Sequence, residues 1–233
     1  AHRVINTNEM AQAGYVANSP QRCYFCKTEL YSQLSALAEQ EGYQWVANGA
    51  NAAAIGENLF GVGHHIANFA YLSFNYGFCG GIIVDGELFL GGNMNAGEYS
   101  GMFTEDEMSR RPALQFLIED LAANGIVLSG IHKLSEQYRD DWPGVAEWVE
   151  KVAPQYNRLV NALWSTIDPQ AIVFGGEMPK PLAHRLIGTT EFRMMRTARY
   201  GIERLFPKLI VSDLGGAAPV LGAASLPFKD MMF

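Results

Sequence analysis

The spacing of the apolar residues changes along the chain, and from residue 50 onward the changes are typical of an α/β protein. Residues 50–60 are rich in alanine and predict a helix, whereas residues 68–75 alternate as in a strand that is covered on both faces. Apolar runs over 80–84 and 88–90 flank Asp85-Gly86, a dipeptide typical of a hairpin turn. The sequence therefore predicts a helix, a strand and a β-hairpin in succession.

Further helices follow in the second half of the chain. A helix is predicted over 112–124, with proline near its first turn and glycine just past its end. Apolar residues recur every three or four positions over 145–167, which predicts a long helix with a Trp/Tyr/Leu stripe facing the core. Pro154 is expected to kink this helix or to split it into two. The remaining predicted elements are strands at 171–174 and 209–212 and a small-residue helix at 217–225.

The first 46 or so residues have a different character, with a polar, turn-rich start. A helix is predicted over about 28–40, ended by Gly42, and a short strand over 43–46. Cys23 and Cys26 form a CxxC pair, which is half of a zinc or iron–sulfur site or a redox pair. A four-ligand site needs a second such pair, so zinc is not expected, and two small thiols packed beside aromatic rings are the simpler interpretation.

Composition narrows the class of protein. Apolar residues make up 48% of the 233 residues and charged residues 18%, with a net charge of −7, which excludes a disordered chain. Lys and Arg form no cluster of the kind that binds phosphate backbones, so a nucleic-acid partner is not expected. No apolar run reaches the roughly 18 residues that cross a bilayer, and no signal-peptide pattern is seen. We expect a reducing, cytoplasmic setting without a membrane partner.

Paired glycines at the ends of apolar runs are the most informative feature. The four pairs are Gly80-Gly81, Gly91-Gly92, Gly175-Gly176 and Gly215-Gly216. A glycine-rich turn is often only a tight turn, but three such sites in an α/β chain favour a nucleotide-binding cleft, since ligands lie at strand carboxyl ends.

Several other polar residues could bind a ligand or could simply be exposed to solvent. Glu98 lies in a Gly/Asn-rich loop, where a carboxylate can accept hydrogen bonds from sugar hydroxyls or simply be solvated. His64, His65 and His132 are interpreted as surface residues, because no carboxylate or cysteine partner is spaced near them.

Several motifs, in order, resemble the ROK family of sugar kinases and sugar-sensing repressors. The resemblance covers about residues 48–233 and predicts the C-terminal lobe of a two-lobed, actin-like (ribonuclease-H-like) ATPase, preceded by a short helical or irregular segment. The matching strings are NGANAAAIGE at 48–57, YGFCGGIIVDG at 76–86, GNMNAGE at 92–98, DPQAIVFGG at 168–176 and LGAASLP at 221–227.

This resemblance implies ATP-dependent phosphorylation of a hexose, with Mg²⁺, or sugar sensing. Carried over to this sequence, Gly80 and Gly81 would face the ATP phosphates, and Gly175-Gly176 would border the adenosine. Asn48 and Glu98 would hydrogen-bond a hexose or hexose derivative. A homodimer is implied as well.

The sequence also departs from the ROK pattern. The aspartate that acts as general base in the family stands at Gly49 here, so no catalytic residue is assigned and phosphotransfer is expected to be weak or absent. Cys79 replaces the central glycine of a phosphate loop, and Gly101 stands where the family has a histidine. No DxGGT phosphate loop occurs in the 233 residues. A non-catalytic sugar-binding module is therefore the first alternative.

Residues 1–51 resemble instead the ATP-dependent sulfur transferases that mature the lactate racemase cofactor. The resemblance rests on NSPQRCYFCK at 18–27 and continues to Asn51, but the SGGxDS loop of that family is not in the chain. Sulfur transfer is therefore a second alternative function. We predict two parts, a sulfur-transferase-like fragment over 1–47 and the ROK-like lobe over 48–233. The meeting of two families at a shared string is typical of a recombined, designed or misassigned sequence rather than a natural fusion.

Overall fold

The computed structural model describes residues 33–34, 36–42, 48–193 and 205–232, and the side chains as far as residue 226. The chain divides into two compact units, Ala1–Asn48 and Gly49–Phe233. In the first, residues 36–41 are helical and Gly42 follows with φ +75°, which agrees with the predicted helix end. The predicted strand over 43–46 and the Cys23–Cys26 pair lie outside the described residues.

The second unit is built on a five-stranded mixed sheet with the order β3-β2-β1-β4-β5. Three adjacent strands, β1, β4 and β5, run parallel, with β5 at one edge of the sheet, and β2 and β3 extend the other side as an antiparallel hairpin. The strands are β1 (Phe69–Phe74), β2 (Phe78–Val84), β3 (Glu87–Leu88), β4 (Ala171–Gly176) and β5 (Lys208–Val211).

Six α-helices accompany the sheet in the described part of this unit. They are α1 (Gly49–Phe60), α2 (Leu114–Ala123), α3 (Ile131–Gln137), α4 (Val145–Thr166), α5 (Lys180–Ile187) and α6 (Ala218–Met232). Short 3₁₀ turns lie at Val62–His64, Tyr99–Met102, Glu105–Arg110 and Gly215–Ala217.

The sheet is covered on both faces, because side chains along a strand alternate between the two sides. Phe69 and Tyr71 of β1 pack in a small cluster with Ala53 of α1 and Ala218 of α6. The β1 residues on the opposite face of the sheet, such as Leu72, belong to a larger cluster that also contains residues of helices α2 to α5. Every residue of β1 and β4 is buried, as expected for strands inside an α/β/α sandwich, and the α/β prediction is confirmed.

The predicted long helix is α4, and its Trp/Tyr/Leu stripe is in the core as predicted. Of the two outcomes expected at Pro154, a kink or a split, the split does not occur, because α4 runs unbroken from Val145 to Thr166 with Pro154 inside it. Proline removes one hydrogen bond from the ladder and frees the carbonyl oxygen four residues earlier, that of Glu150. Pro154 and Glu150 are both exposed, so water can reach that carbonyl, and Asn157 adds a side-chain bond to Ala153 O at 3.0 Å.

Helices α1 and α6 cross at two facing glycines. A Cβ at Gly222 would lie 2.7 Å from the backbone nitrogen of Gly56, and a Cβ at Gly56 would lie 3.2 Å from the nitrogen of Gly222. Ordinary van der Waals contact begins near 3.4 Å, so the two backbones approach as closely as only glycine allows. This crossing fixes where α6 begins relative to the sheet.

Candidate functional site

The carboxyl ends of the three parallel strands meet at one edge of the sheet, and each continues into a short turn. The turn after β1 is formed by residues 75–77, β4 ends at Gly176 and continues to Glu177, and β5 is followed by residues 212–216. In open α/β sheets this edge is where ligands bind. We call these three turns together the carboxyl edge.

The first turn, residues 75–77, is held by side-chain hydrogen bonds and has open space beside Gly77. Asn75 donates from Nδ2 to Ser73 Oγ at 2.9 Å, and the half-exposed Tyr76 accepts through its hydroxyl from Ile131 N at 3.1 Å. A Cβ built at Gly77 would meet nothing within 4 Å. The backbone is therefore held in place beside room for a ligand.

The second turn depends on the glycine pair that the sequence singled out. Gly176 has φ +81° and donates from its backbone nitrogen to the hydroxyl of Tyr71 at 2.9 Å. A Cβ at Gly175 would lie 2.7 Å from Cζ of that tyrosine, and a Cβ at Gly176 would lie 2.9 Å from Phe74 N. Burial raises the pKa of Tyr71 far above its ordinary value, so its hydroxyl stays protonated. Neither glycine tolerates a side chain.

The third turn is organised around one serine hydroxyl. Ser212 Oγ accepts from Leu214 N at 3.1 Å and from Gly215 N at 3.0 Å, and it donates to Oε1 of Glu57 on α1. Glu57 is 1% exposed, and burial raises the pKa of its carboxyl group. The buried side chains of Ser212 and Glu57 thus stabilise this turn through hydrogen bonds on its interior side.

Charged groups surround the outer side of the carboxyl edge. A Cβ at Gly216 would lie 2.5 Å from Oε1 of Glu177, so the Glu177 carboxylate rests against the third turn. Lys180 and Asp213 form an exposed ion pair at 2.6 Å, which holds the pKa of Asp213 below its usual range. An exposed pair of this kind adds little to stability.

Gly80 and Gly81 lie inside β2, in agreement with the strand predicted over 80–84, and the turn before it is formed by residues 75–77. Gly80 pairs with Leu72 in the sheet, and a Cβ on it would run into the ring of Tyr99. A Cβ at Gly81 would lie 2.6 Å from Ala54 Cβ on α1. Their contact with ATP phosphates stays a prediction. In the structure they let β2 pack closely against its neighbours.

Glu98 lies in an exposed position directly before the 3₁₀ turn Tyr99–Met102. Its neighbour Gly97 has φ +91° and accepts at its carbonyl oxygen from Gly80 N at 2.9 Å, and Ser100 Oγ donates to Phe78 O at 2.7 Å. The backbone on both sides of Glu98 is therefore fixed to β2.

The segment that follows Glu98 is held on α4 by one arginine. Arg158 donates to both carboxylate oxygens of Glu107, at 2.9 and 2.6 Å, and to Met102 O at 3.0 Å. The guanidinium also lies 5.7 Å from the ring centroid of Phe103. The Arg158 hydrogen bonds lower the pKa of Glu107 to about 2, so this carboxylate is ionised at neutral pH.

The other predicted residues fall at the start of the second unit and before it. Gly49 is the first residue of α1, is exposed, and has nothing within 4 Å of a built Cβ. Asn48 belongs to the first unit, and the hydrogen bonds that Asn48 and Glu98 would each make to a sugar stay a prediction. A side chain of moderate size fits at position 49.

The described residues, 33–34, 36–42, 48–193 and 205–232, contain no group of three or more His, Cys, Asp or Glu side chains suited to a metal ion. The described helices include none with the length and apolar character to span a membrane. His64, His65 and His132 are exposed, as predicted.

Sequence reasoning missed Tyr71, Glu57 and Ser212. A signal existed for Glu57, which follows Ala53 and Ala54 at helical spacing and so falls on the apolar face of α1. A carboxylate on a buried face needs a partner. Tyr71 and Ser212 were unremarkable in sequence, because their roles depend on pairing between β1, β4 and β5.

Comparison with known proteins gives the family to which this architecture is similar. The ROK family model matches residues 8–110. A beta-glucoside kinase of Listeria monocytogenes is 38% identical over 74 residues, which are 32% of this chain and 25% of that protein. The xylose repressor of Caldicellulosiruptor bescii is 32% identical over 120 residues, which are 51% of this chain and 29% of that protein.

A third relative, an uncharacterized protein of Synechocystis, is 51% identical over 51 residues, which are 22% of this chain and 19% of that protein. The matched segments thus span less than a third of each of these three relatives. The chain is thus similar in part to a sugar kinase and to a sugar-responsive repressor by name, the beta-glucoside kinase and the xylose repressor. The resemblance of residues 1–51 to sulfur transferases stays a prediction.

Solved structures show the fold. A ROK hexokinase from Thermus thermophilus superposes with a TM-score of 0.59 at 24% identity, over 83% of this chain and 69% of that one. A ROK family glucokinase from Streptomyces griseus, in complex with glucose and AMPPNP, gives a TM-score of 0.55 at 23% identity, over 81% of this chain and 70% of that one. The fold is therefore the actin-like ATPase fold of these kinases, as predicted.

Proposed function

We propose that this chain is a ROK-type, sugar-kinase-like protein that binds ATP and a hexose but transfers phosphate only weakly. One observation carries the proposal: three parallel strands end in short, glycine-bearing turns at a single edge of an actin-like sheet. The match of residues 8–110 to the ROK family model supports the choice of family.

The nucleotide is proposed to lie along the carboxyl edge. Gly175-Gly176 would border the adenosine, and the open turn over 75–77, whose Asn75 N–H already donates to Gly77 O, would lie beside the phosphates in addition to the predicted Gly80-Gly81. The described residues offer no metal cluster of their own, so Mg²⁺ would arrive with the nucleotide, whose phosphate oxygens it prefers as ligands. The bound AMPPNP of the Streptomyces griseus glucokinase supports this choice of ligand.

The hexose is proposed to bind through Asn48 and Glu98. Phosphoryl transfer to its hydroxyl requires a group that accepts the hydroxyl proton, and Gly49 has none to offer. Loss of a general base lowers the rate by about 10²- to 10⁴-fold. Slow turnover is therefore the expected state of this chain.

A carboxylate restored at position 49 tests this reasoning. We expect ADP release from the wild type to be slow with each of a panel of hexoses and Gly49→Asp to raise it at least tenfold. Gly92→Asp is the matched control, because Gly92 is also exposed with nothing within 4 Å of a built Cβ. Fast turnover by the wild type, or equal rates in all three proteins, would contradict the proposal.

A second candidate is a non-catalytic, sugar-sensing module. The missing carboxylate at Gly49 favours it, as does the similarity to the xylose repressor over 51% of the chain. A hexose that binds only the folded protein raises its melting temperature. Stabilisation by a hexose with no ADP release from wild type or Gly49→Asp would select this function over the kinase.

A further inference from the structure

Glu57 is a buried carboxyl group to which the proposed function gives no role. It lies in the last turn of α1 with 1% of its surface exposed. Its described partners are the hydroxyl of Ser212 and, at 3.4 Å, the backbone nitrogen of Val62. Burying a carboxyl group is costly unless it is hydrogen-bonded, so a partner as good as Ser212 is required here.

Ser212 uses all the hydrogen-bonding capacity of its hydroxyl. A serine hydroxyl has one proton and two lone pairs. The proton goes to Glu57, and the lone pairs accept from Leu214 N and Gly215 N. The backbone of Ser212 is fixed as well, since its nitrogen donates to Phe174 O in β4 at 2.8 Å. Glu57 therefore decides where the two lone pairs point.

The turn that these bonds shape belongs to the carboxyl edge. Gly215 has φ +51°, and Gly216 packs against the Glu177 carboxylate beside the end of β4. Without the Ser212 hydroxyl, the N–H groups of Leu214 and Gly215 lose the acceptor that orients them. The third turn then loses both backbone hydrogen bonds that the Ser212 hydroxyl accepts within it.

We propose that Glu57 and Ser212 are a positioning pair that sets the turn over 212–216 in the conformation that receives the nucleotide. This inference rests on the proposed function, because it assumes that a nucleotide binds at the carboxyl edge. The pair acts through the backbone of the turn and contacts no phosphate or sugar. Its loss therefore weakens nucleotide binding and leaves hexose binding intact.

The test measures dissociation constants for Mg·AMPPNP and for glucose by calorimetry, well below the melting temperature. Ser212→Ala removes the hydroxyl and Glu57→Leu removes its acceptor, whereas Glu57→Gln keeps a side-chain oxygen. We expect the first two to weaken AMPPNP binding at least tenfold, Glu57→Gln to stay within about threefold, and glucose binding to change less than twofold. Ser165→Ala, which removes an exposed hydroxyl on α4, is the matched control.

Hydrogen exchange separates this inference from the proposed function. Ser212→Ala is used here because it removes only one oxygen atom and so disturbs the buried packing less than Glu57→Leu does. It should speed hydrogen exchange of the Leu214 and Gly215 amides. A wild type that binds no AMPPNP overturns the proposed function. Unchanged amide exchange in Ser212→Ala, or a loss of AMPPNP and glucose binding in equal proportion, overturns the role of the pair.

Discussion

Replacing Gly222 with alanine should destabilise the protein, although alanine is the better helix former. In α6 this glycine faces Gly56 of α1, and a Cβ at position 222 would lie 2.7 Å from both Gly56 N and the carbonyl carbon of Ala52. All of these atoms are backbone, so no side chain can turn away to make room. The two helices must separate, or α6 must shift along α1.

The structure sets the size of the effect. The added methyl group would overlap the carbonyl oxygen of Ala52, and it would lie about 0.7 Å inside ordinary contact, at 3.4 Å, with the carbonyl carbon of Ala52 and with Gly56 N. Overpacking costs about 1–3 kcal/mol, and backbone neighbours place this site at the upper end. Alanine returns up to about 1 kcal/mol through helix propensity. The net loss is about 2 kcal/mol, which lowers the melting temperature by roughly 4–8 °C in a unit of this size.

Gly49→Ala is the matched control, because it adds the same methyl group to α1 at a position with nothing within 4 Å. Thermal unfolding followed by circular dichroism should show a lower melting temperature for Gly222→Ala and an equal or slightly higher one for Gly49→Ala. If Gly222→Ala melts at or above the wild-type temperature, the close crossing of α1 and α6 is not a feature of the folded protein.

Three further outcomes follow from individual contacts. Because Arg158 lowers the pKa of Glu107 to about 2, their pair stabilises the fold fully above about pH 4.5 and is lost as the pH falls through 2. Arg158→Met should therefore melt below wild type at pH 7, and the difference in melting temperature should shrink as the pH falls towards 2, leaving the part due to the Met102 and Phe103 contacts. Burial raises the pKa of Glu57, so the free energy of unfolding of the wild type should fall as the pH rises above about 4.5. In Glu57→Gln, which has no carboxyl group to ionise, urea unfolding should show a smaller fall in this free energy over the same pH range. Tyr71→Phe leaves the buried N–H of Gly176 without its acceptor, which costs about 1–3 kcal/mol, and an unchanged melting temperature would contradict that bond.

Local pattern was enough to predict most of the second unit. The hairpin at Asp85-Gly86 forms with both residues at positive φ, which its strand-flanked Asp-Gly dipeptide indicates in advance. The alanine-rich helix and the two buried parallel strands were predicted for the same reason, since each carries its own periodicity. The actin-like fold came from the order of several short motifs rather than from any one of them.

Non-local packing was not predictable in this way. The apolar run over 80–84 predicts a strand, but it does not indicate that Tyr99 and Ala54 occupy the space that side chains at Gly80 and Gly81 would fill. The bond between Ser212 and Glu57 joins residues 155 positions apart. Such contacts depend on the order of strands in the sheet, which the spacing of residues along the chain does not contain.

The crossing of α1 and α6 also affects the order in which the chain can fold during synthesis. Gly56 and Gly222 are 166 positions apart, and ribosomes add about 5–20 residues per second. For roughly 10–30 s, then, the alanine-rich face of α1 has emerged while its partner has not been made. During that time the apolar cluster on this face of the sheet lacks the contribution of Ala218. Recombinant yield should therefore depend on chaperone capacity and growth temperature more than the stability of the finished protein would indicate.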